Sequence, residues 1–485
     1  MSLLKAEDIT VREGNTTLLA PLSLALDPGE PLVVLGETGS GKSLMAQALM
    51  GALPPELQAK GRVAIGSRVL NVGDRSRFRG LWGREIGVLP QEPWLSLDPL
   101  MRADRQVAEA HAQVRGLPRR DALARASADL EALGLARAGA RYPHQLSGGM
   151  AQRVAIAAAR AGGARIVIAD EPTKGLDAAR RDDVASLLLA EMGESGGLLV
   201  ITHDLALARR IGGRLIVLRA GAIVESGTTR EIFAAPREAY TRELFAADPE
   251  NWTPRRKRAA TGATVISARG LSVARDGRTL FSGLSFEVRA GGILGVTGPS
   301  GCGKSSMGDA MLGLVAPEQG TVARSPEAHP FAFQKLYQDP VAAFPRKRSL
   351  GKTLQDMQGL IRGQQPKIET LLDALGLDPR LLARRPGAVS GGELQRFALL
   401  RILLRQPRFV FADEPTSRLD PITQAKVIEL LIRTADQDDV ALMLMSHDHA
   451  LVRNTGDAVL SLDPASSPVG GEPVETTTAA SFGAL

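Results

Sequence analysis

One spacing of residues, G-x-x-x-x-G-K-S, occurs twice in this chain. The first copy is Gly36-Glu37-Thr38-Gly39-Ser40-Gly41-Lys42-Ser43 and the second is Gly298-Pro299-Ser300-Gly301-Cys302-Gly303-Lys304-Ser305. The chemistry this pattern serves is the binding of nucleotide phosphates. Its glycines let backbone N–H groups turn inward on the phosphates, at the positive end of the helix that follows. Lys42 and Lys304 would reach the β- and γ-phosphates, and Ser43 and Ser305 would hold Mg²⁺. Each loop is therefore expected to be a nucleotide site.

Such a loop works only between a strand and a helix, and the sequence supplies both. Apolar runs precede the loops (Pro31-Leu32-Val33-Val34-Leu35 and Ile293-Leu294-Gly295-Val296), and helical patterns follow at 44–50 and 306–312. Residues 1–30 alternate apolar and polar (Ile9, Val11; Leu22, Leu24, Leu26), as in a half-exposed antiparallel sheet. Residues 61–70 read as one strand and Ile86-Gly87-Val88-Leu89 as a buried one. The stretch 102–135 has a helical period, and 151–161 reads as a long helix. Two further buried strands end in polar groups: Ile166 to Ala169 leads to Asp170-Glu171, and Leu198 to Ile201 leads to Thr202-His203-Asp204. The order then repeats, with Asp413-Glu414 and Ser446-His447-Asp448 at the matching strand ends. Subtracting positions gives 304−42 = 262, 338−91 = 247, 390−147 = 243, 414−171 = 243 and 447−203 = 244. The drop of 15 after the phosphate loop means that the second copy lacks a hairpin-sized piece there. The expected domains are 1–250 and 265–464, joined by a basic linker at 251–264; the polar segment 465–485 reads as disordered.

Composition narrows the class. The chain has 485 residues, 44% hydrophobic and 23% charged, as in a soluble globular protein of several domains. No apolar run reaches membrane-spanning length, and the N-terminus is no signal peptide. A single cysteine excludes internal disulfides and cysteine-based metal clusters, so a cytosolic setting is expected. The net charge of +6 is spread over dispersed arginines, apart from Arg255-Arg256-Lys257-Arg258. With three Trp and three Tyr there is no aromatic platform for bases, and no nucleic-acid partner is expected.

Between each phosphate loop and its acidic pair stands a Ser-Gly-Gly signature: Ser147-Gly148-Gly149 and Ser390-Gly391-Gly392. Motifs in this order make each half resemble an ATP-binding-cassette ATPase domain. The resemblance covers residues 3–463 and implies an α/β fold of two phosphate-loop ATPase domains in tandem. Each would have a mixed-sheet ATP-binding core, a small antiparallel β subdomain and a helical signature subdomain. It implies ATP and Mg²⁺ as ligands, with the two halves paired head to tail. Lys42 would then share a site with Ser390-Gly391-Gly392, and Lys304 with Ser147-Gly148-Gly149. Asp170 and Asp413 would support Mg²⁺, Glu171 and Glu414 would act as general bases, Gln91 and Gln338 would touch the metal, and His203 and His447 would contact the γ-phosphate. Two departures stand out. Glu13 and Asp276 occupy the places where the family usually has an adenine-stacking aromatic, and Thr173-Lys174-Gly175-Leu176-Asp177 replaces the usual run after the acidic pair.

Three stretches are similar to the peptide/nickel importer ATPases: Gln91-Glu92-Pro93 with Ser96-Leu97-Asp98-Pro99, the run from Tyr142 to Met150, and Pro236-Arg237-Glu238-Ala239-Tyr240-Thr241-Arg242-Glu243-Leu244. The cysteine-bearing tail of the oligopeptide branch is missing, which tilts the likeness toward the nickel and metal-chelate branch. The implied role is the ATPase of a bacterial importer, peripheral on the cytoplasmic face of the inner membrane. Its implied partners are two transmembrane permease subunits and a substrate-binding protein. The rival is a soluble tandem cassette protein acting on ribosomes or nucleic acid. Against it stand the short linker and the lack of cysteine clusters.

Overall fold

A strand that is apolar at nearly every residue has no face for water and must lie in a sheet covered on both sides. The strands Leu32–Leu35 and Gly197–Thr202 are buried at every residue, as are Ile293–Thr297, Phe409–Asp413 and Ala441–Met445. The computed structural model describes residues 2–462 apart from 175, 177, 257–261, 276, 300, 327–330, 361–366 and 418. The chain divides into two units, Met1–Phe245 and Ala246–Leu485.

In the first unit the central sheet runs Ala222–Thr228, Arg214–Arg219, Leu32–Leu35, Gly197–Thr202, Ile166–Asp170, Ile86–Leu89. All neighbours are parallel except the first pair, which makes the sheet mixed. A four-stranded antiparallel sheet holds Thr16–Leu26, Leu4–Glu13, Gln58–Ile65 and Arg68–Asn71. The run 61–70, expected as one strand, is split by a turn at Gly66, whose φ is 58°. The helical stretch 102–135 is two helices, Ala103–Arg115 and Arg119–Ala132, because Gly116 takes φ 70° and Pro118 follows. The long helix begins earlier than expected, at Gly148–Ala161.

The second unit repeats the plan in shorter form. Its central sheet is Phe333–Leu336, Phe409–Asp413, Ala441–Met445, Ile293–Thr297, Ala458–Ser461, all parallel. Its antiparallel sheet has Arg278–Arg289, Thr264–Arg275 and Gln319–Arg324. Among the described residues nothing corresponds to strand Arg68–Asn71 or helix Arg75–Phe78, where the 15-residue offset falls.

The unit boundary lies five residues before the division expected at 250/251, and the chain just after it is seated on the second unit. Asn454 Nδ2 donates to the Pro249 carbonyl at 2.7 Å, Trp252 packs on the core, and Arg255 pairs with Asp436 and, at 2.5 Å, with Asp457. The rest of the basic stretch (257–261) and the tail 465–485 lie outside the described residues.

The helix after each phosphate loop packs on the strand that carries the acidic pair, and the two halves fill this contact differently. Gly308 lies against Phe411, so that a β-carbon on it would come within 2.0 Å of the ring. The matching positions in the first unit (308−262 = 46, 411−243 = 168) are Ala46 and Ile168, both buried. A larger helix residue thus goes with a smaller strand residue. Gly308→Ala should destabilise the second unit by about 1–3 kcal/mol, the usual result of overpacking a core. Adding Phe411→Ile should recover most of the loss in denaturant unfolding.

Candidate functional site

Each loop turns into its helix through glycines that only a residue without a β-carbon can supply. Gly41 and Gly303, at the starts of Lys42–Leu49 and Lys304–Met311, have φ of 101° and 103°. A β-carbon there would also strike Leu19 Cδ2 at 2.8 Å or Leu280 Cβ at 2.9 Å. Gly39 and Gly301, both at φ 84°, face open space instead. The two lysines are buried, at 6% and 8% exposure, and fold back on their own loops. Lys42 Nζ donates to the carbonyls of Gly36 and Glu37, each at 2.7 Å; Lys304 Nζ donates to those of Gly298 at 2.6 Å and Pro299 at 3.0 Å. Ser40 is buried and Cys302, at the matching place, is partly so. Ser300 lies outside the described residues.

The acidic pairs sit where the strands end beside the loops. Asp170 lies beside Ser43 and Asp413 beside Ser305; burial pushes both carboxyls above the usual aspartate range, with the serines opposing it. Asp170 Oδ1 is buried without a hydrogen-bond partner. One hydroxyl, one aspartate and an unsatisfied oxygen fit a hard divalent cation that takes its other ligands from phosphate and water. Among the described residues no group of three His, Cys, Asp or Glu side chains could hold a metal ion.

Glu171 and Glu414 have φ of 48° and 47°, the left-handed region that a residue with a side chain enters only under strain. The twist turns each carboxylate toward the histidine at the end of the neighbouring strand. Glu171 Oε1 lies 2.6 Å from His203 Nδ1, and Thr202 Oγ1 donates to its other oxygen at 3.3 Å. Glu414 Oε1 lies 3.4 Å from His447 Nδ1. Burial raises Glu171, but His203 and then Lys42 outweigh it and hold the carboxyl below the usual range; Glu414 is lowered against burial by His447 in the same way. In return, His203 is raised by Glu171 although burial opposes this, and His447 is raised first by its bond with Glu414.

The structure brings these groups together in both units and separates others. Gln338 Nε2 donates to Glu414 Oε2 at 3.1 Å, whereas Gln91 is exposed and makes no bond to Glu171. Behind Asp413 the second unit has a charge the first lacks: Lys335 Nζ is 2.5 Å from Asp309 and 3.9 Å from Asp413, where the first unit has Val88 (335−247 = 88). Ser147 and Ser390 cap the starts of helices Gly148–Ala161 and Gly391–Leu403, their hydroxyls accepting the N–H of Met150 and of Glu393. Neither serine bonds to the phosphate loop of its own unit. Glu13 is exposed at the tip of its hairpin; Asp276 and Asp177 lie outside the described residues. Tyr240, quoted above only as part of a resemblance, reaches the first loop and accepts the Glu37 N–H at 3.1 Å. Nothing in its own neighbourhood of the sequence signals a contact 203 residues away.

The ABC transporter family model matches residues 19–174 and 281–417. The chain is 32% identical to the peptidoglycan transport ATP-binding protein YejF of Agrobacterium fabrum, over 93% of this chain and 89% of that one. It is 32% identical to the glutathione import ATP-binding protein GsiA of Escherichia coli K12, over 90% of this chain and 80% of the other. Among solved structures, the archaeal ribosome recycling factor aABCE1, in complex with the stalk protein aP1, superposes with a TM-score of 0.66 at 21% identity, covering 94% of this chain and 87% of that one. That likeness concerns the fold alone.

The carboxylate–histidine pair generates a prediction for the nucleotide-free, chelator-treated protein. In Glu171→Gln the attraction that raises His203 is gone and burial remains, so its pKa should fall from above the ordinary 6.5 to below it. A histidine NMR titration, assigned with a His203 variant, reads the change; an unmoved His203 would contradict the pairing.

Proposed function

Because the chain belongs to the ABC transporter ATP-binding family, whose domains hydrolyse ATP, we propose that it is the ATPase of a bacterial importer of peptide-type solutes. One observation carries the reading. The likeness to YejF and GsiA runs through both halves, and each half has a full set of loop lysine, strand-end carboxylates and histidine. The names of these relatives refer to peptidoglycan and glutathione, which favours the peptide side of the expected class over the nickel side.

In this reading Lys42 and Lys304 exchange their loop carbonyls for the β- and γ-phosphates of ATP, and the N–H groups at each helix start receive the same oxygens. Ser43 with Asp170, and Ser305 with Asp413, would hold Mg²⁺, which supplies charge neutralisation on the phosphates when bound; Gln91 and Gln338 are the further candidates to touch it. Glu171 and Glu414 are ionised at neutral pH, because their histidines keep them below the usual range, and can accept a proton from the attacking water. The Nδ1 atoms of His203 and His447 face those carboxylates, which leaves Nε2 for the γ-phosphate. Ser147-Gly148-Gly149 and Ser390-Gly391-Gly392 begin long helices and present N–H groups suited to a phosphate. We assign them to the partner half's ATP, so that binding pairs the halves and hydrolysis releases them. No helix among the described residues is long and apolar enough to cross a membrane. We therefore assign the translocation path to separate permease subunits, the choice of solute to those subunits and a binding protein, and this chain to the cytoplasmic face.

Glu171→Gln and Glu414→Gln should each slow ATP turnover by at least ~10-fold, as for loss of a general base. A rate unchanged by either variant would remove that site from the cycle. Affinity capture of the full chain from detergent-solubilised membranes of its host should recover two integral membrane subunits. Recovery of ribosomes and no permease would overturn the importer reading.

A further inference from the structure

The stretch 236–244 has no part in the cycle just described, yet it is built around one contact with the first phosphate loop. We propose that Tyr240 is a positioning residue that pins this loop through the Glu37 N–H, and that Pro299 achieves the same end covalently in the second loop. The inference rests on the reading of the loops as nucleotide sites.

The peptide between Gly36 and Glu37 is gripped at both ends. Its carbonyl accepts Lys42 Nζ at 2.7 Å, and its N–H donates to Tyr240 Oη at 3.1 Å. Tyr240 is 3% exposed and belongs to the helix Ala239–Ala246, which buries Leu244 and Phe245 as well. Much of the stretch serves to seat that helix. The Glu225 carboxylate accepts the N–H groups of Arg237 at 2.8 Å and Glu238 at 3.2 Å, fixing the turn into it. Arg242 Nη1 donates back to the carbonyls of Pro236 and Arg237. Phe245 stacks on Phe233 with ring centres 4.5 Å apart, and the Arg219 guanidinium lies 4.6 Å over the Tyr240 ring. The phenol is held from several sides and cannot drift from the loop without disturbing its seat.

The second loop shows why the hydroxyl is there. Pro299 stands in the place of Glu37, and proline has no N–H to satisfy and a φ fixed by its ring. The chain's three tyrosines are Tyr142, Tyr240 and Tyr337, so none follows the second central sheet as Tyr240 follows the first. Where the loop has a donor the chain supplies an acceptor, and where it has none the chain supplies neither. A tyrosine placed only to fill space would have no reason to track that donor.

The test is a cycle of Tyr240→Phe and Glu37→Pro in full-length protein, read as the dissociation constant of a fluorescent ATP analogue. Lys304→Ala isolates the first site and Lys42→Ala the second. Tyr240→Phe should weaken the first site about 3- to 10-fold, the range of one lost hydrogen bond, and leave the second unmoved. Glu37→Pro alone should be at least as harmful, since the ring carbon replacing the hydrogen would drive into an oxygen 3.1 Å from the nitrogen. The double variant, which removes donor and hydroxyl together, should return to within about twofold of its parent. An unaltered first site in Tyr240→Phe, equal weakening at both sites, or a double variant no better than the worse single change would each overturn the pin. Hydrogen exchange of the Glu37 amide, read without nucleotide, should quicken in Tyr240→Phe; unchanged exchange overturns the proposal by itself. Failure of the Lys304→Ala parent to bind nucleotide would instead refute the first loop as a nucleotide site, and the exchange result would still decide the contact.

Discussion

A lysine ammonium taken out of water must be surrounded by oxygen or lose its proton. In both units that requirement is met by two carbonyls of the phosphate loop itself, and much of the architecture follows from it. The loop has to curl tightly enough for carbonyls five and six residues back to face the lysine, which is why its last glycine must take a left-handed backbone. The curl needs a rigid strand before it and a helix after it. The helix in turn needs a packed strand behind it, and that strand delivers the acidic pair. The lysine held by carbonyls is also ready to leave them, since phosphate oxygens offer the same coordination with more charge.

The parts of this plan that depend on nearest neighbours in the chain were legible. Apolar runs marked the buried strands, glycine spacing marked the loops, and constant offsets marked the second copy and its missing hairpin. The misread stretches were those where a local pattern is ambiguous, as at 61–70, where alternation continues through the turn at Gly66 and hides the hairpin. A second class was invisible in principle. The left-handed φ of Glu171 and Glu414 goes with histidines 32 and 33 positions away, and the anchoring of Arg255 on Asp436 and Asp457 joins residues 181 and 202 positions apart. The contrast between Gln338, bonded to Glu414, and exposed Gln91 also escapes a reading in which both have the same motif around them.

The two units solve one structural problem with different side chains. The left-handed glutamate facing a histidine is common to both, although the two groups stand 2.6 Å apart in the first unit and 3.4 Å apart in the second. Behind it the supports diverge: Tyr240 against Pro299 at the loop, Ala46 and Ile168 against Gly308 and Phe411 beneath the helix, Val88 against the Lys335–Asp309 pair beside the strand. Each difference is compensated within its own unit by a change in the residue it touches or replaces.

That compensation bears on the gene as well as the protein. Two related coding repeats in one reading frame invite exchange of sequence between them. A tract carrying only the first helix into the second repeat would set an alanine against Phe411 and deprive Lys335 of Asp309, since Gln47 would arrive in its place (309−262 = 47). The reciprocal tract would leave a gap over Ile168. Only tracts long enough to carry helix and strand together would yield a sound core. Internal packing thus acts as a barrier to homogenisation, and it gives the two halves a physical reason to stay distinct once they have diverged.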